Sequence, residues 1–162
     1  MPKLSAGLLM YRVRDGVLQV LLAHPGGPIW AKKDSGAWTI PKGEVEPGED
    51  QLAAAQREFE EELGFAPSGE FNSLGTITQK SGKIVRAWAF EGDCDPRSIK
   101  SVSFSMEWPP RSGKQREFPE VDRAEFFGVE EARKKINPAQ AELVTRLEEK
   151  LLAAKRSDRS LR

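Results

Sequence analysis

Residues 43–65, GEVEPGEDQLAAAQREFEEELGF, constrain this chain more than any other segment. In the second half, Leu52, Ala55, Phe59 and Leu63 recur at three- and four-residue spacings, the apolar stripe of an amphipathic helix. Gly64 is the natural residue to end it, because a left-handed conformation after the last turn carries no Cβ penalty in glycine. Glu58, Glu60, Glu61 and Glu62 crowd the last two turns, where the helix dipole disfavours anions. Glu58 and Glu62 stand four apart and Glu58 and Glu61 three apart, so like charges face one another, each pair costing about 0.2–0.5 kcal/mol. Several local rules broken at one place mark a site. The compensation these carboxylates require is a divalent cation, and a cluster of hard oxygen donors suits Mg²⁺ or Mn²⁺.

The rest of the chain reads as alternating strands and helices. Residues 5–13 and 17–23 form two strands joined at Arg14-Asp15-Gly16, where Asp-Gly signals a hairpin. Residues 24–36 form a loop broken by Pro25-Gly26-Gly27-Pro28, and a short strand covers 37–40. Pro47-Gly48-Glu49-Asp50 turns into the helix with acids favourably placed at its N-terminal end. Strands follow at 71–79 and 84–91, then a strand at 98–108, an open basic loop at 109–119 and a short strand at 121–127. A helix at 129–135 precedes a final helix, with Asn137 as N-cap, Pro138 at the first helical position and a stripe of Leu143, Val144, Leu147 and Leu151. Residues 1–154 are expected to form one domain and 155–162 a frayed tail.

Glycine, charge and apolar positions in residues 43–65 fall in the spacing of a known motif. Gly43, Glu49, Arg57-Glu58, Phe59, Glu60, Glu61-Glu62, Leu63, Gly64 and Phe65 resemble the Nudix box at every defined position, preceded by the strand-like Ala37-Trp38-Thr39-Ile40 and by Pro41-Lys42. The resemblance implies an α/β fold, the Nudix α/β/α sandwich with a mixed β-sheet. The box helix then lies on one face and the C-terminal helices mainly on the other. It also implies hydrolysis of a pyrophosphate linkage with Mg²⁺ as cofactor, Mn²⁺ being the alternative. Glu58, Glu61 and Glu62 take the ligand roles, with the Gly43 carbonyl as a further candidate; one of the glutamates serves as base in some families. Glu49 and Arg57 are expected to form an ion pair bracing loop against helix, and Glu60 to face solvent. Family members often recruit one more acid from outside the box, for which Glu107, Glu117 and Glu120 are candidates, Glu107 being placed in the metal set.

Candidates for substrate contact are Lys42, beside the box glycine, and Arg111, Lys114 and Arg116, whose charges suit a polyphosphate. Trp30 and Trp108 are candidates to stack a base, whereas Trp88, inside an apolar strand, reads as core. His24, the only histidine, is expected to structure a loop. The implied substrate is a nucleoside polyphosphate, an NTP or a diadenosine polyphosphate. The alternatives are ADP-ribose, a nucleotide sugar or 5′-triphosphate RNA, and, from a different class, a silent nucleotide-sensing module. Such modules usually lose box glutamates, and this chain keeps them. With 25 basic and 25 acidic residues, no global field recruits long nucleic acid, so the expected partner is a small nucleotide. The single cysteine, Cys94, fits a reduced, cytoplasmic setting. The N-terminal apolar run is too short to span a bilayer. Oligomeric state has no signature in the sequence.

Overall fold

A computed structural model describes residues 3–160. The alternating apolar residues of β1 (Leu4–Arg14) and β2 (Val17–Pro25) make the centre of the sheet, paired antiparallel across the expected Asp15-Gly16 turn. β1 also pairs in parallel with β5 (Ile84–Glu91), and β5 pairs with β4 (Asn72–Thr78). On the other side β2 pairs with β8 (Val121–Gly128), giving the order β4-β5-β1-β2-β8. The short β3 (Lys42–Glu44) attaches to β1.

Because successive strand residues face opposite ways, the sheet buries two separate apolar sets. Ala6, Leu8, Met10, Leu21, Ala23, Trp88 and Phe90 meet the Ala54, Ala55, Phe59 and Leu63 stripe of α1 (Gln51–Leu63). Leu9, Val20, Leu22, Val85 and Ala87 meet Leu143, Val144 and Leu147 of α3 (Ala141–Ser160) and Ala132 of α2 (Val129–Lys135). The mixed sheet between helices on both faces is the expected sandwich.

Helix α1 begins and ends where its sequence signals it. Asp50 Oδ2 accepts from the Ala53 amide at 3.0 Å, and Gly64 sits at φ 86°. A Cβ on Gly64 would stand 2.7 Å from the Lys100 carbonyl, so close approach also requires glycine there.

Four local expectations change. Residues 37–40 make only isolated bridges, Ala23 with Thr39 and Trp38 with Ile136; the strand lies instead at Lys42–Glu44. Trp38 and Ile40 are buried, and Gln140 Oε1 accepts from the Ile40 amide at 3.0 Å, so a side chain takes the place of a neighbouring strand. Residues 109–119 are not wholly open: Gln115–Pro119 forms β7, which pairs with β6 (Ser103–Glu107) in a two-stranded arm apart from the main sheet. β7 carries only one large apolar residue, Phe118, too little for a period-2 signal. The Asn137-Pro138 cap opens a one-turn 3₁₀ helix that leads into α3. That last helix runs through Ser160, into the stretch read as a tail; 161 and 162 lie outside the described residues. Among the described residues, no helix is long and apolar enough to cross a membrane.

Phe59 is fully buried and meets Phe65 and Phe90 edge-on at 5.3 Å each. Phe59→Ala is expected to cost about 3–5 kcal/mol in urea-induced unfolding, the usual range for a truncated core aromatic. A loss below about 1 kcal/mol would mean that α1 does not anchor to the sheet through this ring.

Candidate active site and metal centre

The box folds so that β3 lies against the carboxylate-bearing side of α1. The Lys42 amide donates to Glu62 Oε2 at 2.9 Å. Gly43 packs on Glu58 so closely that a Cβ would stand 2.0 Å from its carboxyl carbon. A side chain at 43 would have to displace the Glu58 carboxylate from this position. A third carboxylate arrives from the junction of β7 and β8: one oxygen each of Glu58, Glu62 and Glu120 lie within 4.8 Å of one another. Glu120 is held there by backbone bonds, its amide donating to the Val102 carbonyl and its carbonyl accepting from the Gly26 amide, both at 2.9 Å.

Arg57 organises the other side. Its Nε and Nη2 donate to the two oxygens of Glu49 at 2.9 and 3.0 Å, the expected brace in bidentate form. Nη2 also donates to the Glu44 carbonyl at 3.1 Å, and Nη1 donates to Glu58 Oε1 at 2.8 Å. The brace therefore also orients a member of the carboxylate group, a contact that adjacent positions on a helix do not announce. The guanidinium, aided by the Glu46 amide, holds the Glu49 carboxyl at about 2, while Glu49 in turn pushes Arg57 up.

The carboxylate group is electrostatically unsatisfied by itself. Burial, then the neighbouring Glu58, pushes Glu62 up to about 8 against the opposing Lys42 amide and ammonium. Burial raises Glu58 too, with Arg57 opposing and Glu61 adding, and burial and then Glu61 raise Glu120. Lys42 is lowered by burial first and by Lys83 second. Oxygens bound to one Mg²⁺ span up to about 4.2 Å, so the donor spacing fits that ion with at most a small side-chain rotation. All three donors are hard carboxylate oxygens, and a bound cation would offset both the burial and the neighbouring charge that raise their pKa values.

The other sequence candidates divide. Glu61 flanks the group, 3.3 Å from Arg57 Nη1, and Glu60 is exposed. Glu107 is placed elsewhere: its Oε1 accepts from the Arg111 amide at 2.6 Å, closing the turn of the arm, and Glu120 stands in the position proposed for it. The sequence offered Glu107, Glu117 and Glu120 and placed Glu107 in the metal set; the strand pairing of the arm brings Glu120 to the carboxylate group instead. Arg111 and Lys114 lie in the turn at the tip, with Trp108, whose amide donates to the Lys114 carbonyl at 2.9 Å. Arg116 pairs with Met106 across the arm, on the same ribbon face as Phe104 and Phe118. Trp88 is core. His24 is buried, Nδ1 2.8 Å from Asp122 Oδ1 and Nε2 2.6 Å from the Lys33 carbonyl, and so ties the 24–36 loop to β8. Cys94 is half-buried, and burial raises its thiol pKa.

A family profile for the NUDIX domain matches residues 1–147. The chain belongs to the Nudix family. It is 44% identical over 63 residues to an RNA pyrophosphohydrolase of Erythrobacter litoralis (strain HTCC2594), covering 36% of this chain and 37% of that one. It is 43% identical over 61 residues to an asymmetrical bis(5′-nucleosyl)-tetraphosphatase of Caenorhabditis elegans, covering 38% and 40%. The matches thus span about two fifths of these curated relatives. In three dimensions it resembles a C. elegans Ap4A hydrolase in a binary complex, with TM-score 0.66, 23% identity and coverage of 92% and 98%. The NUDIX domain of Shewanella oneidensis NrtR, complexed with ADP ribose, gives TM-score 0.66 at 13% identity, covering 93% and 89%. At these identities the structural likeness concerns the fold.

In metal-free protein the raised Glu62 carboxyl makes a signed prediction. The folded state keeps a proton that the unfolded chain releases near the ordinary value of 4.5, so this stabilisation is complete below about 4.5 and lost as pH rises through about 8. The melting temperature of the metal-free chain should fall between pH 6 and pH 8.5, and Glu62→Gln should flatten that slope. Mg²⁺ should raise the melting temperature more at pH 8.5 than at pH 6. A pH-independent melting temperature in this window would contradict the buried carboxyl.

Proposed function

We propose that this chain is a divalent-cation-dependent pyrophosphohydrolase acting on a nucleoside polyphosphate, an NTP or a diadenosine polyphosphate. The observation that carries the proposal is the convergence of Glu58, Glu62 and Glu120. Nudix hydrolases generally use divalent ions, and these three carboxylates, with Glu61 beside them, are the residues that would hold one. When bound, the ion neutralises phosphate charge, polarises the phosphorus–oxygen bond and favours ionisation of water.

The chain's own residues supply the rest. Arg57 fixes the Glu58 carboxylate through a 2.8 Å bond, so its oxygens do not have to be ordered when substrate arrives. Glu62 is aimed by the Lys42 amide. Lys42 feels the charges of both Glu58 and Glu62, which supports assigning its ammonium to a phosphate oxygen. One oxygen of Glu120 would hold the ion; the other, on a side chain that reaches solvent, is assigned the proton of the attacking water. Water oxygen bonds to phosphorus, the bridging P–O bond breaks, and the departing phosphate carries the electron pair.

The bis(5′-nucleosyl)-tetraphosphatase relatives support the nucleoside polyphosphate reading. The similarity to an RNA pyrophosphohydrolase favours 5′-triphosphate RNA as the second reading, against which stands the balance of 25 basic and 25 acidic residues.

A panel of diadenosine tetraphosphate, NTPs, ADP-ribose, a nucleotide sugar and 5′-triphosphate RNA, assayed with Mg²⁺ and Mn²⁺, should give the highest kcat/KM for a nucleoside polyphosphate. Chelation should stop turnover. Glu120→Gln is expected to lower kcat by about 10²-fold or more with little change in KM. Glu62→Gln should abolish Mg²⁺-dependent turnover in a folded protein; full activity in that variant would remove the metal assignment.

A further inference from the structure

Glu120 belongs to two features at once. It completes the carboxylate group, and it also lines a cleft of about 350 Å³ with Pro25, Ile29, Trp30, Phe104 and Met106. That volume lies at the small end of the roughly 300–1,000 Å³ typical of small-molecule sites. One wall is the 25–30 loop and the other is β6 of the arm. The walls meet tightly: a Cβ on Gly27 would stand 2.9 Å from Phe104 Cζ.

The chemistry of the lining selects what enters. Apart from Glu120, every side chain named here is apolar, and two are aromatic, so a hydroxyl-rich sugar would find few partners. A flat, apolar-faced group suits it. Trp30 remains 38% exposed, a large area of indole left facing solvent. It is nevertheless anchored. The Lys33 ammonium lies 4.9 Å from its ring centroid, the Lys33 amide donates to the Trp30 carbonyl at 2.9 Å, and the Lys33 carbonyl meets buried His24 Nε2 at 2.6 Å. A cation over one indole face leaves the other for stacking, and the link to a buried side chain fixes the ring before a ligand arrives.

Resting on the hydrolase reading above, we propose that this cleft is the base subsite, with Trp30 as the stacking platform and Phe104 and Met106 as the opposing wall. A nucleotide with its phosphates at the carboxylates then directs its base past Glu120 into the cleft. Arg116, beside Met106 on the same face of the arm, lies at the outer end of that wall and meets the remaining phosphates or a second nucleoside. Trp108, at the arm's tip, takes no part.

The test separates base from phosphate. For hydrolysis of a nucleoside triphosphate, Trp30→Ala should raise KM about tenfold or more, the loss expected for one stacked base, with kcat nearly unchanged. Trp30→Phe should stay within about threefold of the original, since a smaller ring still stacks. Inorganic tripolyphosphate, which has phosphates and no base, should show the same kcat/KM in both variants. Trp108→Ala should leave the nucleotide KM unchanged. The proposal is overturned if Trp30→Ala leaves the nucleotide KM unchanged, weakens tripolyphosphate equally, or is matched by Trp108→Ala. Calorimetric binding of a triphosphate analogue with methylene bridges needs no turnover, so it tests the cleft even if the hydrolase reading fails. There too, Trp30→Ala should weaken the analogue about tenfold and tripolyphosphate not at all.

Discussion

The Arg57 guanidinium occupies the point where the box loop, the box helix and the carboxylate group come together. Its forked donors bind both oxygens of Glu49, the Glu44 carbonyl and one oxygen of Glu58, so one planar group sets the path of the loop and the aim of a carboxylate. A lysine would supply the charge without the fork. Fixing the loop fixes β3, and β3 sets the Lys42 amide against Glu62 and Gly43 against Glu58. Of the like charges that strain the helix end, Arg57 gathers Glu58 and Glu61, while Glu58 also turns with Glu62 toward Glu120.

Much of this was legible because the box is local. Periodicity placed the buried stripe of α1, the Asp50 and Gly64 signals placed its ends, and the glutamate spacing placed Glu58 and Glu62 on one side. The hairpin followed from the Asp15-Gly16 turn signal, and the two-faced sheet from the resemblance to the Nudix box. What stayed hidden depended on pairing between distant segments. Glu120 differs from Glu107 and Glu117 only in where the arm joins β8, and the arm itself was missed because β7 is polar at nearly every position. The brace between Arg57 and Glu58 was invisible for another reason: neighbours on a helix point apart, and only a long side chain folding back along the surface joins them.

The division between box and flanks has a chemical sense. The box provides hard oxygen donors and a means of aiming them, which any pyrophosphate linkage can use. The apolar walls and the basic positions come from the 25–30 loop and the arm, elements outside the box.

The β6–β7 arm can also be viewed mechanically. It stands off the main sheet, and the backbone bonds at its root include three, Lys100 to Leu63, Val102 to Glu61 and Glu120 to Val102. Two of the three end on the last turn of the box helix, and the third ends on Glu120 itself. The arm therefore has its root beside the three carboxylates and a second contact where Phe104 meets Gly27. Through that root, the seating of the arm sets where Glu120 stands relative to Glu58 and Glu62.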